Sequence, residues 1–253
     1  MRAIDIVRPI EEFAPVDQQE KWDNCGFCIG DKYASVTRAL VALDCTEAVI
    51  DEAIECGADL VITHHPLIFS GVKQIGPHNI RGRIIMKAIK HGIAVYAAHT
   101  NMDKAAGGVS SLMADKLGLE QREPLTAENF GIVGNLQRPL NAKELVELVK
   151  NSFGGCIVRT SAPLEEKIER VAVCGGSGRA FIADAMLKGA QVYITGDITY
   201  HEFETEKGFM VMDIGHYSSE YDIVHVFAKI LSKNFPNFAV SISKRNNNPI
   251  YYY

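Results

Sequence analysis

The sequence predicts an α/β fold: an internal duplication forming two intertwined three-layer α/β/α domains with largely parallel sheets. Two observations carry the α/β class. Short apolar runs of strand length alternate with stretches of helical periodicity. In addition, residues 38–63 displaced by 132 positions fall without a gap on residues 170–195, and nine of the 26 columns are identical. Unrelated sequences would share roughly two. The identities include Arg38/Arg170, Val41/Val173, Ala53/Ala185, Gly57/Gly189, Ile62/Ile194 and Thr63/Thr195. The layering and the intertwining follow from the family resemblance given below.

Each repeat reads strand, turn, helix, glycine, strand. In the first copy, residues 39–43 form a strand and Thr46 caps a helix over 47–56. Ala48, Val49, Ala53 and Ile54 make that helix's apolar stripe, Gly57 closes it, and 60–63 is the second strand. In the second copy, residues 171–174, 181–188, Gly189 and 192–195 take the same places. A βαβ unit of this kind sets its two strands parallel. The pattern continues with a helix over 80–90 and a strand over 93–97, and, after Gly208, a strand over 209–213. Beyond each of these strands stand an imidazole and an acid at one spacing, His99-x-x-x-Asp103 and His216-x-x-x-Glu220. Helix-like stretches follow at 107–117 and 221–232. Residues 123–134 are rich in turn formers and acids and suggest a boundary near Thr126. The domains are then 1–125, joined by 221–253, and 126–220. Asn141 and Glu144 bracket a capped start for a helix over 142–151. Residues 238–243 read as a strand that most simply returns to the first sheet, and 246–249 as a turn.

A hydrophobic fraction of 47% and a charged fraction of 23% describe an ordinary soluble globule, and the net charge of -5 argues against broad steering toward nucleic acid or anionic membrane. Asp5, Arg8 and Glu11 interrupt any apolar stretch at the start, and no run has the length to span a bilayer. A cytoplasmic location with reduced cysteines is expected. Cys25 and Cys28 form a lone CxxC; the other four cysteines are scattered, so the pair reads as small buried side chains rather than a zinc or redox site.

The chemistry gathers around His64-His65-Pro66, at the end of the buried strand over 60–63. The C-terminal ends of parallel strands form the functional edge of an open α/β sheet. An extended backbone would send the two rings to opposite sides, offering one ligand to each of two metals. Asp103, His216 and Glu220 join the doublet as imidazoles and carboxylates on loops that follow strands. This donor set suits zinc, iron, manganese or nickel, and the lack of thiolates disfavours a structural zinc. Five ligands exceed the three of an open mononuclear site. They suit two metals sharing a carboxylate, about 3.5–4 Å apart, with a water as nucleophile. The plainer alternative leaves Asp103 and Glu220 solvated or capping helices. His99, the repeat partner of His216, fits a ligand, an orienting residue or a proton donor. Asp197 takes the column of His65 and is placed to orient a ligand or substrate. His201 reads either as a proton carrier or as a helix-surface residue. Gly175-Gly176-Ser177-Gly178 reads as a tight strand-to-helix turn. A phosphate cradle is the weaker alternative, since no Walker A or GxGxxG pattern accompanies it.

Six motifs now stand in order: Trp22-Asp23-Asn24-x-Gly26, Thr63-His64-His65-Pro66-Leu67-Ile68-Phe69, His99-Thr100-Asn101-Met102-Asp103, Gly175-Gly176-Ser177-Gly178, Thr195-Gly196-Asp197 and Gly215-His216-Tyr217-Ser218-Ser219-Glu220. With them the chain resembles, end to end, the Nif-three-like dinuclear metal centre proteins, also labelled GTP cyclohydrolase I type 2 homologues. Cys25 and Cys28 depart from that family, which more often has aliphatic residues there. The resemblance implies two intertwined α/β/α domains and a toroidal homohexamer, a trimer of dimers with its sites facing an internal cavity. It implies that His64, His65, Asp103, His216 and Glu220 bind two divalent metals. Glu220 would bridge them, with His65 and Asp103 completing one site and His64 and His216 the other. The leading functional reading is a metal-dependent hydrolase acting on an electron-poor carbon such as C8 of a guanine nucleotide, with His99 or His201 moving protons. A non-enzymatic metal store, carrier or sensor is the alternative. A nucleic-acid-binding ring is disfavoured by the acidic charge.

Overall fold

A computed structural model describes residues 1–253. In chain order the regular elements are α1 (Ala3–Phe13), β1 (Gly26–Ile29), β2 (Arg38–Ala42), α2 (Glu47–Cys56), β3 (Leu60–Thr63), α3 (Ile80–Lys90), β4 (Ala94–Ala97), α4 (Thr100–Lys104), α5 (Val109–Lys116), β5 (Glu120–Pro124), β6 (Ile132–Leu140), α6 (Ala142–Ser152), β7 (Arg159–Thr160), β8 (Ile168–Ser177), α7 (Ile182–Leu187), β9 (Val192–Gly196), β10 (Met210–Asp213), α8 (His216–Glu220), α9 (Ile223–Asn234) and β11 (Ala239–Ile242). The chain divides into two compact units, residues 1–102 with 223–253, and residues 103–222. The first crossing precedes the acidic segment around Thr126 because α5 and β5 belong with the second sheet, α5 against β8 and β5 paired with β6. No helix is long and apolar enough to cross a membrane.

Unit 1 holds a five-stranded sheet in the order β1-β4-β3-β2-β11. Every pair is parallel except β1 with β4. Each residue of β3 and β4 is buried, as the unbroken apolar runs require of strands covered on both faces. Val49, Ile50 and Ala53 of α2 and Ile84, Ile85 and Ala88 of α3 form a core with Leu40, Ala42, Val61 and Val95. Thr46 caps α2 by accepting from the Val49 N–H, and Gly57 ends it in the left-handed region at φ 70°. The predicted C-terminal strand does return here: β11 pairs with β2. The N-terminal helix α1 escaped sequence analysis. It buries Ala3, Ile6, Val7 and Ile10, a helical spacing that the interior Pro9 disguises.

Unit 2 holds a six-stranded sheet in the order β5-β6-β8-β9-β10-β7. Only β8-β9 and β9-β10 are parallel. The other three pairs are antiparallel, so the parallel character expected of both sheets is confined here to a central core. The segment around residues 123–134 forms the β5-β6 hairpin, with Asn129 and Gly131 at positive φ in its turn. Val171 and Val173 of β8 face a core with α5 and α6, whereas Ala172 and Cys174 face the one that holds α7. The capping box of Asn141 and Glu144 starts α6 as expected.

The sequence displacement of 132 reappears in the strand registers. Ala39 pairs with Leu60 and Val171 with Val192; Val41 pairs with Ile62 and Val173 with Ile194. The next strands shift it to 116, since Ala97 pairs with Thr63 and Asp213 with Thr195. The helices keep 116, with α4 beginning at Thr100 and α8 at His216. His216 therefore answers Thr100 rather than His99, and Gly215 takes the place of His99.

The C-terminal segment reaches the edge where His64 and His65 stand. Asn246, buried, accepts the N–H groups of Leu43 and Asp44 on its Oδ1. Leu43 in turn accepts the N–H groups of His64 and His65 on its carbonyl, at 3.2 and 3.0 Å. Asn246→Ala strands two buried donors and is expected to cost about 1–3 kcal/mol of stability, read by urea unfolding.

Candidate metal centre

In unit 1 the chain turns immediately after β3, because His64 and His65 both donate their N–H to Leu43. The doublet is not extended, and its rings do not diverge as an extended strand would require. Their centroids lie 5.0 Å apart, and the His99 ring, arriving after β4, lies 5.2 and 5.5 Å from them. One nitrogen from each of the three rings falls within 4.8 Å of the others.

Each ring is fixed at Nδ1. His64 donates to the Ala98 carbonyl at 2.9 Å, His65 to Asp44 Oδ1 at 2.7 Å, and His99 to Asp23 Oδ1 at 3.0 Å. A proton held at Nδ1 places the ligating lone pair on Nε2. Asp23 also accepts from the Thr100 N–H at 3.0 Å and the Asn24 N–H at 2.7 Å. Burial opposes its charge, but these bonds and the His99 ring outweigh it and hold the carboxyl far below its ordinary range. Cys25 Sγ lies 3.2 Å from Asp23 Oδ2 and 3.1 Å from Asn101 Oδ1. Burial pushes its pKa up to about 12. Cys28, the other cysteine of the CxxC, is also half-buried, with its Sγ 3.6 Å from the Val95 carbonyl.

In unit 2, His216 opens α8 and the buried Glu220 follows one turn later, with His216 Nε2 3.0 Å from Glu220 Oε2. His216 donates from Nδ1 to Asp197 Oδ2 at 2.8 Å, so Asp197 orients a ring as its position after β9 suggested. Asp197 does this in the left-handed region at φ 56°, which aspartate tolerates better than most residues. Burial works against a charged His216, yet the bonds and charges of Asp197 and Glu220 raise its pKa to about 10. A carboxylate oxygen of Asp103 lies within 4.8 Å of one from Glu220. Burial, and then the charges of Asp103 and Glu220, push the nearby Cys174 thiol up to about 12. Asp213 ties the loops together: it accepts from the Ile198 N–H at 2.9 Å and the Gly215 N–H at 2.7 Å, and pairs with Arg159.

The glycine-rich segment has another purpose than the one its sequence suggested. Gly175, Gly176 and Ser177 lie in the end of β8, and Gly176 has φ +64°. A Cβ on Gly176 would stand 2.1 Å from Glu220 Oε1, and one on Gly175 2.1 Å from Val109 Cγ1. A Cβ on Gly196 would meet the backbone nitrogen of His216 at 2.8 Å. Gly176 and Gly196 admit α8 and its ligands, and Gly175 admits α5. No cradle for a phosphate is needed to explain them.

His201 stands on the short turn Tyr200–Phe203, exposed, its ring edge-on to Tyr200 at 5.3 Å. It lines a cleft of about 750 Å³ with Arg159, Ile198, Thr199 and Phe203. Sequence reasoning passed over Asp44 as an orienting group and met Asp23 only inside a motif. Both carry the same signal, an aspartate near the edge where histidines end strands. Unit 1 thus gathers His64, His65 and His99, and unit 2 brings His216 and Asp103 each to Glu220. Nitrogen and oxygen donors with orienting partners and no thiolate suit a borderline divalent ion. Gly176→Ala is expected to displace Glu220 and lower the uptake of added zinc by unfolded-corrected protein. Gly57→Ala, at φ +70° with open space around it, should leave uptake intact and cost only about 1–2 kcal/mol in unfolding.

The comparisons agree with this architecture. The family model described as Duf34/NIF3 (NGG1p interacting factor 3) matches residues 1–249. A Clostridium perfringens protein named GTP cyclohydrolase 1 type 2 homolog is 37% identical over 258 residues, covering 98% of each chain. A Clostridium acetobutylicum protein of the same name is 36% identical over 262 residues, again covering 98% of each. A solved Bacillus cereus structure, described as a protein related to NIF3, superposes with a TM-score of 0.93 at 26% identity, covering 100% of this chain and 99% of that one. With its fold, its motifs and nearly its whole length matched, the chain belongs to the Duf34/NIF3 family.

Proposed function

We propose that the two ligand sets serve one dinuclear divalent-metal centre and that the protein is a metal-dependent hydrolase of a nucleotide-like substrate. His64, His65, Asp103, His216 and Glu220 are the ligands in this reading, with Glu220 shared by the two ions. The observation that carries it is the repeated device at Nδ1. Four imidazoles are each held there by an oxygen acceptor, from Ala98, Asp44, Asp23 and Asp197. Such partners fix the ring and raise its basicity at a metal site. When bound, the metals would acidify a water and polarise the electrophile.

The chain's own residues supply the rest. His99 keeps its Nδ1 proton on buried Asp23, so Nε2 is the atom at which it takes or gives a proton. His201, exposed on its cleft, is the second proposed proton carrier. Asp197 holds His216 in place, and Gly176 leaves room for Glu220. The name carried by the curated relatives supports a guanine nucleotide as substrate: one water opens the C8–N9 bond to leave a formamide on N7, and a second water cleaves that amide, releasing C8 as formate and leaving both nitrogens as amines. The same reading takes the protein to be cytoplasmic and to assemble as a homohexamer, a toroidal trimer of dimers.

Elemental analysis of purified protein tests the centre and formate release from GTP tests the reaction. About two divalent metals per chain are expected, falling in His64→Ala, Asp103→Ala and Glu220→Ala, with formate released only by loaded protein. Near-zero metal under varied metal supply removes the centre. Full loading with no formate removes the cyclohydrolase reaction and leaves a store, carrier or sensor.

A further inference from the structure

We propose that Trp22 and Phe69 form an aromatic wall that receives a planar heteroaromatic ring, of the size of a purine base, and sets it beside His99. The inference rests on the reading of the histidine set as part of a reaction centre and names the part of the substrate that unit 1 recognises. Trp22 is 56% exposed and Phe69 45% exposed, although both are large apolar side chains. Their ring centroids lie 5.4 Å apart at an interplanar angle of 47°. Each ring also meets His99 near edge-on, Trp22 at 6.2 Å and 71°, Phe69 at 6.1 Å and 70°. The tilt keeps the two rings from stacking flat on one another, and each stays partly exposed next to an imidazole of the histidine set.

The backbone beneath these rings is anchored. Asn24 Nδ2 donates to the Ile68 carbonyl at 2.6 Å, tying the Trp22 loop to the Phe69 loop. On the other side of Trp22's neighbour, Asp23 is bonded to His99 and Thr100. Cys25 N–H donates to Gln19 Oε1 at 2.7 Å. Two aromatics held open on a fixed scaffold are preorganised for a flat partner, because little ordering entropy remains to be lost on binding. Stacking on aromatic side chains suits any nucleobase face and asks for no charge. The wall itself is carbon, so the phosphates of a nucleotide are not what it recognises.

Trp22 is the single tryptophan of the chain, so its fluorescence reports on the wall alone. Zinc-loaded and metal-free protein are titrated with GTP, guanosine and inorganic triphosphate. Both guanine compounds are expected to quench emission saturably, and triphosphate to leave it unchanged. Phe69→Ala should weaken guanosine binding by about tenfold. By calorimetry Trp22→Ala should do the same and Trp22→Phe should recover most of the loss, with metal content unchanged in all three. The proposal is overturned by quenching with triphosphate alone, by no response to either guanine compound, or by an unaltered affinity in Phe69→Ala. It is also overturned by an emission shift that follows protein concentration without ligand, which would mean that a second copy covers the wall. Metal content measured on the same samples separates the two readings. Ring binding without metal leaves the wall and removes the centre; metal without ring binding does the reverse.

Discussion

The hydrogen bond from an imidazole Nδ1 to a fixed oxygen is the interaction on which the candidate centre depends. An imidazole with no such partner can rotate about its ring bond and carry its proton on either nitrogen. Here the Ala98 carbonyl and the carboxylates of Asp44, Asp23 and Asp197 remove that freedom from His64, His65, His99 and His216 respectively. The acceptors differ in charge, and the difference matters. The Ala98 carbonyl orients His64 with a neutral dipole. Asp197 and Glu220 instead hold His216 charged in metal-free protein, with a pKa near 10 that a bound cation would have to overcome by displacing the proton.

An acceptor can fix a ring only if it is itself fixed, and the fold provides this at strand ends. Asp44 follows β2 and has its N–H bonded to Asn246 from the C-terminal segment. Asp23 is buried under bonds from Thr100 and Asn24. Asp197 leaves β9 in a left-handed conformation while its neighbour Ile198 is bonded to Asp213 at the end of β10. Asp44 follows a parallel strand of the first sheet and Asp197 a parallel strand of the second, and within each unit the helices that follow carry the remaining donors. The glycines of β8 and β9 complete the arrangement by exclusion: side chains at Gly176 or Gly196 would occupy the space of Glu220 or of the His216 backbone.

Much of this was legible in the sequence because it depends on periodicity. The α/β class, the capped helix α2 and the parallel pairs β2-β3 and β8-β9 follow from apolar spacing, glycine punctuation and the repeat, whereas the return of β11 is only the simplest placement of a last strand. What sequence reading missed depends on backbone direction. Rings on opposite sides require the His64-His65 doublet to be extended, yet Leu43 captures both N–H groups and the ring centroids lie 5.0 Å apart. The pairing of His99 with His216 was off by one residue, since identical motif spacing conceals a different starting point relative to the helix. Gly175-Gly176 reads in sequence as a tight turn because a glycine run shows conformational freedom and small size equally, and only the position of Glu220 shows that Gly176 also serves by its size. Asp44 offered no motif at all, only its place at the end of a strand.

The asymmetry between the two ligand sets bears on what the centre is for. Unit 2 sets the His216 ring and an oxygen of Asp103 each against the buried Glu220, a set whose charge would suit a cation. Unit 1 gathers three imidazoles with no carboxylate among the nitrogens that meet, and beside them stands an exposed aromatic pair. A store or carrier needs donors and a route out. It gains nothing from a tryptophan and a phenylalanine held open to solvent on a hydrogen-bonded scaffold, where each exposed ring forgoes the burial that stabilises it elsewhere. Such a feature is favoured where a second molecule has to be laid against one of the imidazoles in a defined orientation. Trp22 and Phe69, rather than the candidate metal ligands that both readings require, are therefore the residues that separate the proposed hydrolase from a store: a ring bound against them favours the former.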